Sequence, residues 1–184
     1  MKSVLLIIDM LNDFVRPDGA LPVPGAESII PNIKRLKEGM ATIYVNDLHS
    51  LNDPEFEEYP PHAVARTEGA EIVDELEPSE YDMVVDKTTF DGFSNPNLAT
   101  YIKTLDPFRV YITGVATEIC VMETAISCAR HFLTTVVVDA VKGLEMYPGS
   151  GLQAAFDMGM LDVKGDTTEE IIQAHEGGNQ WHTQ

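Results

Sequence analysis

Cysteine, tryptophan, basic residues and long apolar runs are all scarce in this chain. Its 184 residues hold two cysteines, Cys120 and Cys128, and one tryptophan, Trp181. Two cysteines cannot make the disulfide framework of a small secreted domain. On a single helix their eight-residue separation would hold them about 12 Å apart, too far to bond each other. Against 30 Asp and Glu there are only 12 Lys and Arg, a formal net charge of −18. That balance lacks the basic footprint of a nucleic-acid or anionic-membrane binder. The first apolar run, residues 4–8, stops at Asp9, short of the roughly 7–15 residues of a signal peptide. No run approaches the roughly 18–20 residues of a membrane span. The expectation is a cytoplasmic protein with no nucleic-acid or membrane partner.

What the chain does contain is ordinary globular material, 44% hydrophobic and 23% charged, enough for one domain over residues 1–184 at roughly 150 residues per domain. Short β-rich runs alternate with helical stretches. Strand-like segments fall at residues 4–8, 42–45, 83–85, 110–113, 135–138 and, weakly, 161–163. Helical patterns fall at 26–38, 71–76, 97–105, 120–132, 152–158 and 168–174. Continuously apolar strands alternating with helices predict an α/β fold, a three-layer doubly wound, mostly parallel sheet of five to six strands with helices on both faces. Residues 47–69 break the rhythm with Pro54, Pro60 and Pro61, a loop long enough to imply a purpose. Residues 53–91 carry thirteen acids against Arg66 and Lys87, a run read first as a solvated face. The polar tail, residues 175–184, holds Trp181. That ring is expected to dock, a second subunit being the candidate surface, with a dimer favoured.

Ligands of open α/β sheets bind outside the carboxyl ends of the strands, so the residues there are the first candidates. They are Asp9, the Asn46-Asp47-Leu48-His49 run, Asp86-Lys87, and Gly114-Val115-Ala116-Thr117-Glu118-Ile119-Cys120. Singly each has a bland reading: Asp9 as a turn former, Lys87 as a solvated charge, Cys120 as a small buried hydrophobe. Together a carboxylate, an ammonium and a thiol are a kit for acyl transfer. The helix start and the ammonium would favour thiolate, and the carboxylate would carry the proton. Cys128, mid-helix, is read as structural. Asp47 and His49, two apart on extended chain, with His62 in the irregular loop, suit zinc, iron or manganese. Glu55, Glu57 and Glu58 are candidates to complete the shell, Glu55 preferred. His131, His175 and His182 look like surface residues.

Five blocks carry a resemblance: Asp9-Met10-Leu11-Asn12-Asp13-Phe14, Asp47-Leu48-His49, Tyr59-Pro60-Pro61-His62, Asp86-Lys87 and Gly114-Val115-Ala116-Thr117-Glu118-Ile119-Cys120-Val121. Their order resembles the isochorismatase-like cysteine hydrolases from Ser3 to about Val163, and the loop with the histidines most resembles the nicotinamidases. The resemblance implies a triad of Asp9, Lys87 and Cys120, a cis peptide between Val115 and Ala116, and an oxyanion hole of the Ala116 and Cys120 N–H groups. It further implies metal ligation by Asp47, His49 and His62, with Glu55 direct or through water, and substrate contacts from Phe14, Tyr59 and Phe93. The implied cofactor is a divalent metal, zinc first, and the implied substrate a small amide such as nicotinamide, hydrolysed to acid and ammonia. The alternatives are a metal-free cysteine amidase for a ureido or carbamoyl compound and a non-catalytic binding module. A true isochorismatase is disfavoured by the cysteine. Leu11, Glu118 and Arg66 depart from the family pattern, and the stretch between His49 and His62 is short for the group.

Overall fold

The computed structural model describes residues 2–144 and 164–179. Six strands form one parallel sheet: β1 (Ser3–Ile8), β2 (Ala41–Asp47), β3 (Met83–Lys87), β4 (Arg109–Val115), β5 (Thr134–Lys142) and β6 (Lys164–Asp166). Their spatial order is β3-β2-β1-β4-β5-β6, every pair parallel. The order reverses beside β1, so the crevice between β1 and β4 is the topological switch point.

β1 is buried at all six positions because helices cover both of its faces. Leu5 and Ile7 join one core with Ile30, Ile33 and Leu36 of α2 (Ile30–Lys37) and Ile171 of α5 (Thr168–Asn179). Val4, Leu6 and Ile8 join the other, with Leu98 and Ile102 of α3 (Pro96–Leu105) and Ala125 and Cys128 of α4 (Met122–Ala129). Each such Leu or Ile, fully buried, is worth roughly 1.5–3 kcal/mol. A short α1 (Asn12–Val15) follows β1 and buries Phe14 and Val15.

The local differences from the sequence expectation have identifiable causes. Residues 26–29 form a 3₁₀ turn and α2 proper starts at Ile30, with Pro31 in its first turn, where the missing N–H costs nothing. The helix expected at 71–76 shrinks to a 3₁₀ turn, Asp74–Leu76. Its first half runs extended instead, with Ile72 bridged to Leu11 and the Val73 N–H donating to Met10 O at 3.0 Å. The segments expected at 152–158 and 161–163, and Trp181, lie outside the described residues. Among the described residues no helix is long and apolar enough to cross a membrane.

Candidate active site

Strand register brings the candidates together. Ile8 pairs with Val45 on one side and Gly114 on the other, and Asp47 pairs with Lys87. Asp9 therefore leaves β1 between the ends of β2 and β4, and Asp47 and Lys87 stand side by side on one face. Asp9 adopts a positive φ of 51°, unusual for a non-glycine residue. Its N–H is held by Val45 O at 3.0 Å. Gly114, opposite, has φ 106°, and a Cβ there would come within 2.0 Å of Ile8 O. Only glycine lets β4 pass that close. The Val115–Ala116 peptide that follows is cis.

Both oxygens of Asp9 are occupied. Lys87 Nζ donates to Oδ2 at 2.8 Å and the Asp47 N–H to Oδ1 at 2.7 Å. Lys87 also donates to Asp47 Oδ1 at 2.5 Å. All three side chains are buried. Burial, aided by the Asp47 charge and opposed by Lys87, pushes the Asp9 carboxyl up to about 6. For Asp47 burial pushes the same way, but Lys87 and His49 outweigh it and the carboxyl sits below its ordinary value. Lys87 sits above its ordinary value, since its burial is outweighed by Asp9, Cys120 and Asp47.

Cys120 lies with Asp9 and Asp47, their ligand atoms within 4.8 Å of one another. It sits in a π-helical turn, Thr117–Val121, ahead of α4. Burial dominates and drives its thiol well above the ordinary range, Lys87 pulling it down and Asp9 pushing it up. The ammonium favours thiolate as expected, but desolvation outweighs it. With a base of about 6 beside a neutral thiol, the arrangement can pass a proton from sulfur to carboxylate as the sulfur attacks.

Asp47, His49 and His62, all buried, each direct a ligand atom within 4.8 Å of the others. His62 Nδ1 is bonded to Pro60 O at 2.7 Å, which leaves Nε2 for a ligand. Neither buried ring nitrogen of His49 has a hydrogen-bond partner, a costly state that a bound cation would relieve. Asp53 Oδ2 nevertheless stands 3.1 Å from Nδ1. That contact lacks hydrogen-bond alignment and acts as an electrostatic pair. Asp47, opposed by burial and helped by Asp53, raises His49 to about 9. Glu55 Oε1 is 3.5 Å from His62 Nε2, beside the three rather than among them. The donor set fits a divalent ion.

A cavity of about 60 Å³ opens over these groups. Asp9, Asp47 and Cys120 lie at its polar end; Phe14, Tyr59 and Phe90 supply its aromatic wall; Leu21, Val23, Ile119 and Leu144 are aliphatic. Phe14 lies 5.3 Å from the His62 ring, and Tyr59 lies 6.4 Å from Phe90. Phe93 is the exception to the expected set. Its N–H donates to Asp91 Oδ1 at 2.8 Å, in a turn that sends the ring to His131 and Phe132, 6.4 and 6.3 Å away. Phe90 stands at the cavity in its place.

The comparisons fit this geometry. The isochorismatase domain matches residues 3–156. The chain belongs to the isochorismatase family. A probable inactive nicotinamidase of Arabidopsis thaliana is 30% identical over 188 residues, 92% of this chain and 94% of the relative. A nicotinamidase of Acinetobacter baylyi is 30% identical over 179 residues, 79% and 83% of the two chains. Among solved structures, a pyrazinamidase of Pyrococcus horikoshii in complex with zinc superposes with a TM-score of 0.80 at 33% identity, covering 91% of this chain and 99% of that one.

Within this isochorismatase-like frame, sequence reasoning missed Phe56, whose ring meets both His49 and His62 edge-on at 5.5 Å. It also missed the aliphatic wall. A Phe beside a ligand-bearing loop is a usable signal; Leu21 and Val23 gave none, because only the folded loop turns them inward. His175, read as surface, is half-buried and lies 3.2 Å from Ser3 Oγ.

Proposed function

We propose that this protein is an amidohydrolase that converts a small, uncharged ring carboxamide of the nicotinamide or pyrazinamide class to the acid and ammonia. One observation carries the reading: the buried Asp9–Lys87 pair lies within reach of Cys120, under an apolar and aromatic cavity lined also by Asp47 and His62, with His49 grouped beside those two. One relative is named as probably inactive, so family membership alone does not carry activity. The proposal therefore rests on the complete Cys/Asp/Lys set.

Cys120 Sγ attacks the carboxamide carbon and its proton passes to Asp9. The Ala116 and Cys120 N–H groups stabilise the oxyanion. Asp9 then protonates the nitrogen, the C–N bond breaks and ammonia leaves a thioester on Cys120. Water, deprotonated by Asp9, adds to the thioester carbon. The C–S bond breaks and the proton returns to sulfur, which releases the acid. Lys87 holds Asp9 ionised between proton transfers. A divalent ion, zinc first and iron or manganese as alternatives, would be held by Asp47, His49 and His62 with Glu55 alongside. When bound it supplies a Lewis-acid point for a ring nitrogen of the substrate. Phe14 and Tyr59 would pack on the ring faces.

Ammonia release from nicotinamide, pyrazinamide and an aliphatic ureide, with and without chelator, tests this. The expected result is metal-dependent turnover of the two ring amides. Chelator-insensitive turnover of the ureide would replace it with the metal-free amidase. No turnover of any amide, with retained metal binding, would leave a binding module.

A further inference from the structure

Asp13 has no part in the chemistry above, yet two loops of the site meet at its carboxylate, one of them at two points. Oδ2 accepts the Ala63 N–H at 2.8 Å, and Oδ1 accepts the Ala20 N–H at 3.1 Å. Ala63 directly follows His62, is fully buried and has φ 46°. Its carbonyl accepts the His49 N–H at 2.9 Å, and the Ala65 N–H returns to His49 O at 2.9 Å. One backbone unit therefore fixes both histidines, and Asp13 fixes that unit. On the other side Ala20 leads into Leu21 and Val23 of the cavity wall, whose N–H groups donate to Asp13 O at 3.0 Å and Phe14 O at 2.8 Å. The far end of the loop that holds Ala63 is pressed against the same carboxylate: a Cβ on Gly69 would lie 2.2 Å from Asp13 Oδ2.

We infer that Asp13 is a positioning residue that couples the metal-side histidines to the apolar substrate wall through its two carboxylate oxygens. A carboxylate suits the task because both of its oxygens accept. An amide offers one acceptor and would turn a donor toward one of two N–H groups. The inference rests on the metal-assisted reading above for its kinetic consequence, but the coupling of the loops does not.

The test uses Asp13→Asn, nearly isosteric, with Arg16→Ala as control. Arg16 is held by Glu75 at 3.0 and 2.6 Å just beyond α1, so its loss loosens the same region without touching the carboxylate. Zinc affinity is measured by competition with a chromophoric chelator. Loss of an outer partner of a metal ligand typically costs 10–100-fold in affinity. Asp13→Asn is expected to weaken zinc at least about ten-fold and to raise KM for nicotinamide more than it lowers kcat at saturating zinc. Arg16→Ala should change neither appreciably. Hydrogen exchange on the metal-free proteins reads the coupling directly. The amides of Ala20, Leu21 and Val23 and those of residues 63–65 should both exchange faster in Asp13→Asn while β1 and β4 stay protected.

Wild-type zinc affinity in Asp13→Asn, an equal loss in Arg16→Ala, or faster exchange in only one of the two loops would each overturn the inference. If Asp13→Asn does not fold, Gly69→Ala crowds the same carboxylate from its third side and is held to the same outcomes. If the wild-type protein neither binds zinc nor hydrolyses an amide, the functional reading fails, and the exchange measurement still decides the coupling.

Discussion

Cys120 and Cys128 are both buried thiols near the start and end of one helical stretch, and their surroundings divide them. Burial pushes Cys128 up to about 12, with only Thr134 lowering it and Asp91 opposing. Cys120 has Lys87 and the Asp9 carboxylate beside it, so its proton has somewhere to go. Cys120→Ala is expected to lower kcat at least about 10³-fold and Cys128→Ala to leave it within a few-fold in an ammonia assay. Equal losses would mean the nucleophile is misassigned. The same pairing sets a pH profile. Asp9 serves as base only when ionised, and burial followed by Asp47 holds its carboxyl up at about 6. Activity is therefore full above that value and falls on acidification as Asp9 keeps its proton. The acid limb of kcat/KM should have its midpoint near pH 6. A profile still flat at pH 5 would show that Asp9 is not the group titrating.

At the scale of elements, the parts that were legible in sequence are those whose signal is local. The apolar run of β1 and the stripe Ile30, Ile33, Leu36 of α2 each announce a buried face, and strand ends point to Asp9, Asp47 and Lys87. The strand ends also gave Cys120, and the resemblance supplied the rest: the oxyanion hole, the cis peptide and the ring contacts. Less legible were features decided by distant partners. Residues 71–73 run extended because they lie against residues 10–12. Phe90 replaces Phe93 at the cavity because Asp91 caps the intervening turn. The state of the Cys120 thiol follows from burial that no window of sequence displays. Gly114 belongs to this class as well: glycine in a β4 pattern reads as a weak strand position, whereas the fold needs it for the close pass of Ile8 O. Gly114→Ala combines a positive φ with a backbone clash and should cost about 2–4 kcal/mol in denaturant unfolding. It should also lower activity in the folded fraction, since Ala116 moves with it. A loss below about 0.5 kcal/mol would show that the strands can part without cost.

At the scale of the whole molecule the net charge of −18 acts on substrate and product differently. An uncharged carboxamide feels no long-range field, whereas the carboxylate left by its hydrolysis is repelled by the acidic surface and by Glu55 at the cavity, Asp47 being paired with Lys87. Among the described residues the cavity lining has no Arg or Lys to receive a carboxylate, and Lys87 is already engaged by Asp9 and Asp47. Salt screens such repulsion over a Debye length of about 10 Å at 0.1 M. Unit charges 8–10 Å apart in water repel by about 0.5 kcal/mol each, so Glu55 and one or two surface acids at such a range would amount to about 1 kcal/mol, close to five-fold in affinity. Between low salt and 0.3 M, kcat/KM for nicotinamide should stay flat while inhibition by nicotinate tightens by about that factor. A substrate bearing its own carboxylate, such as a ureido acid, would instead show kcat/KM climbing with salt. Steady-state kinetics at constant pH across that range separates the two, and a salt-dependent rise in kcat/KM for the neutral amide would contradict the field argument at its root.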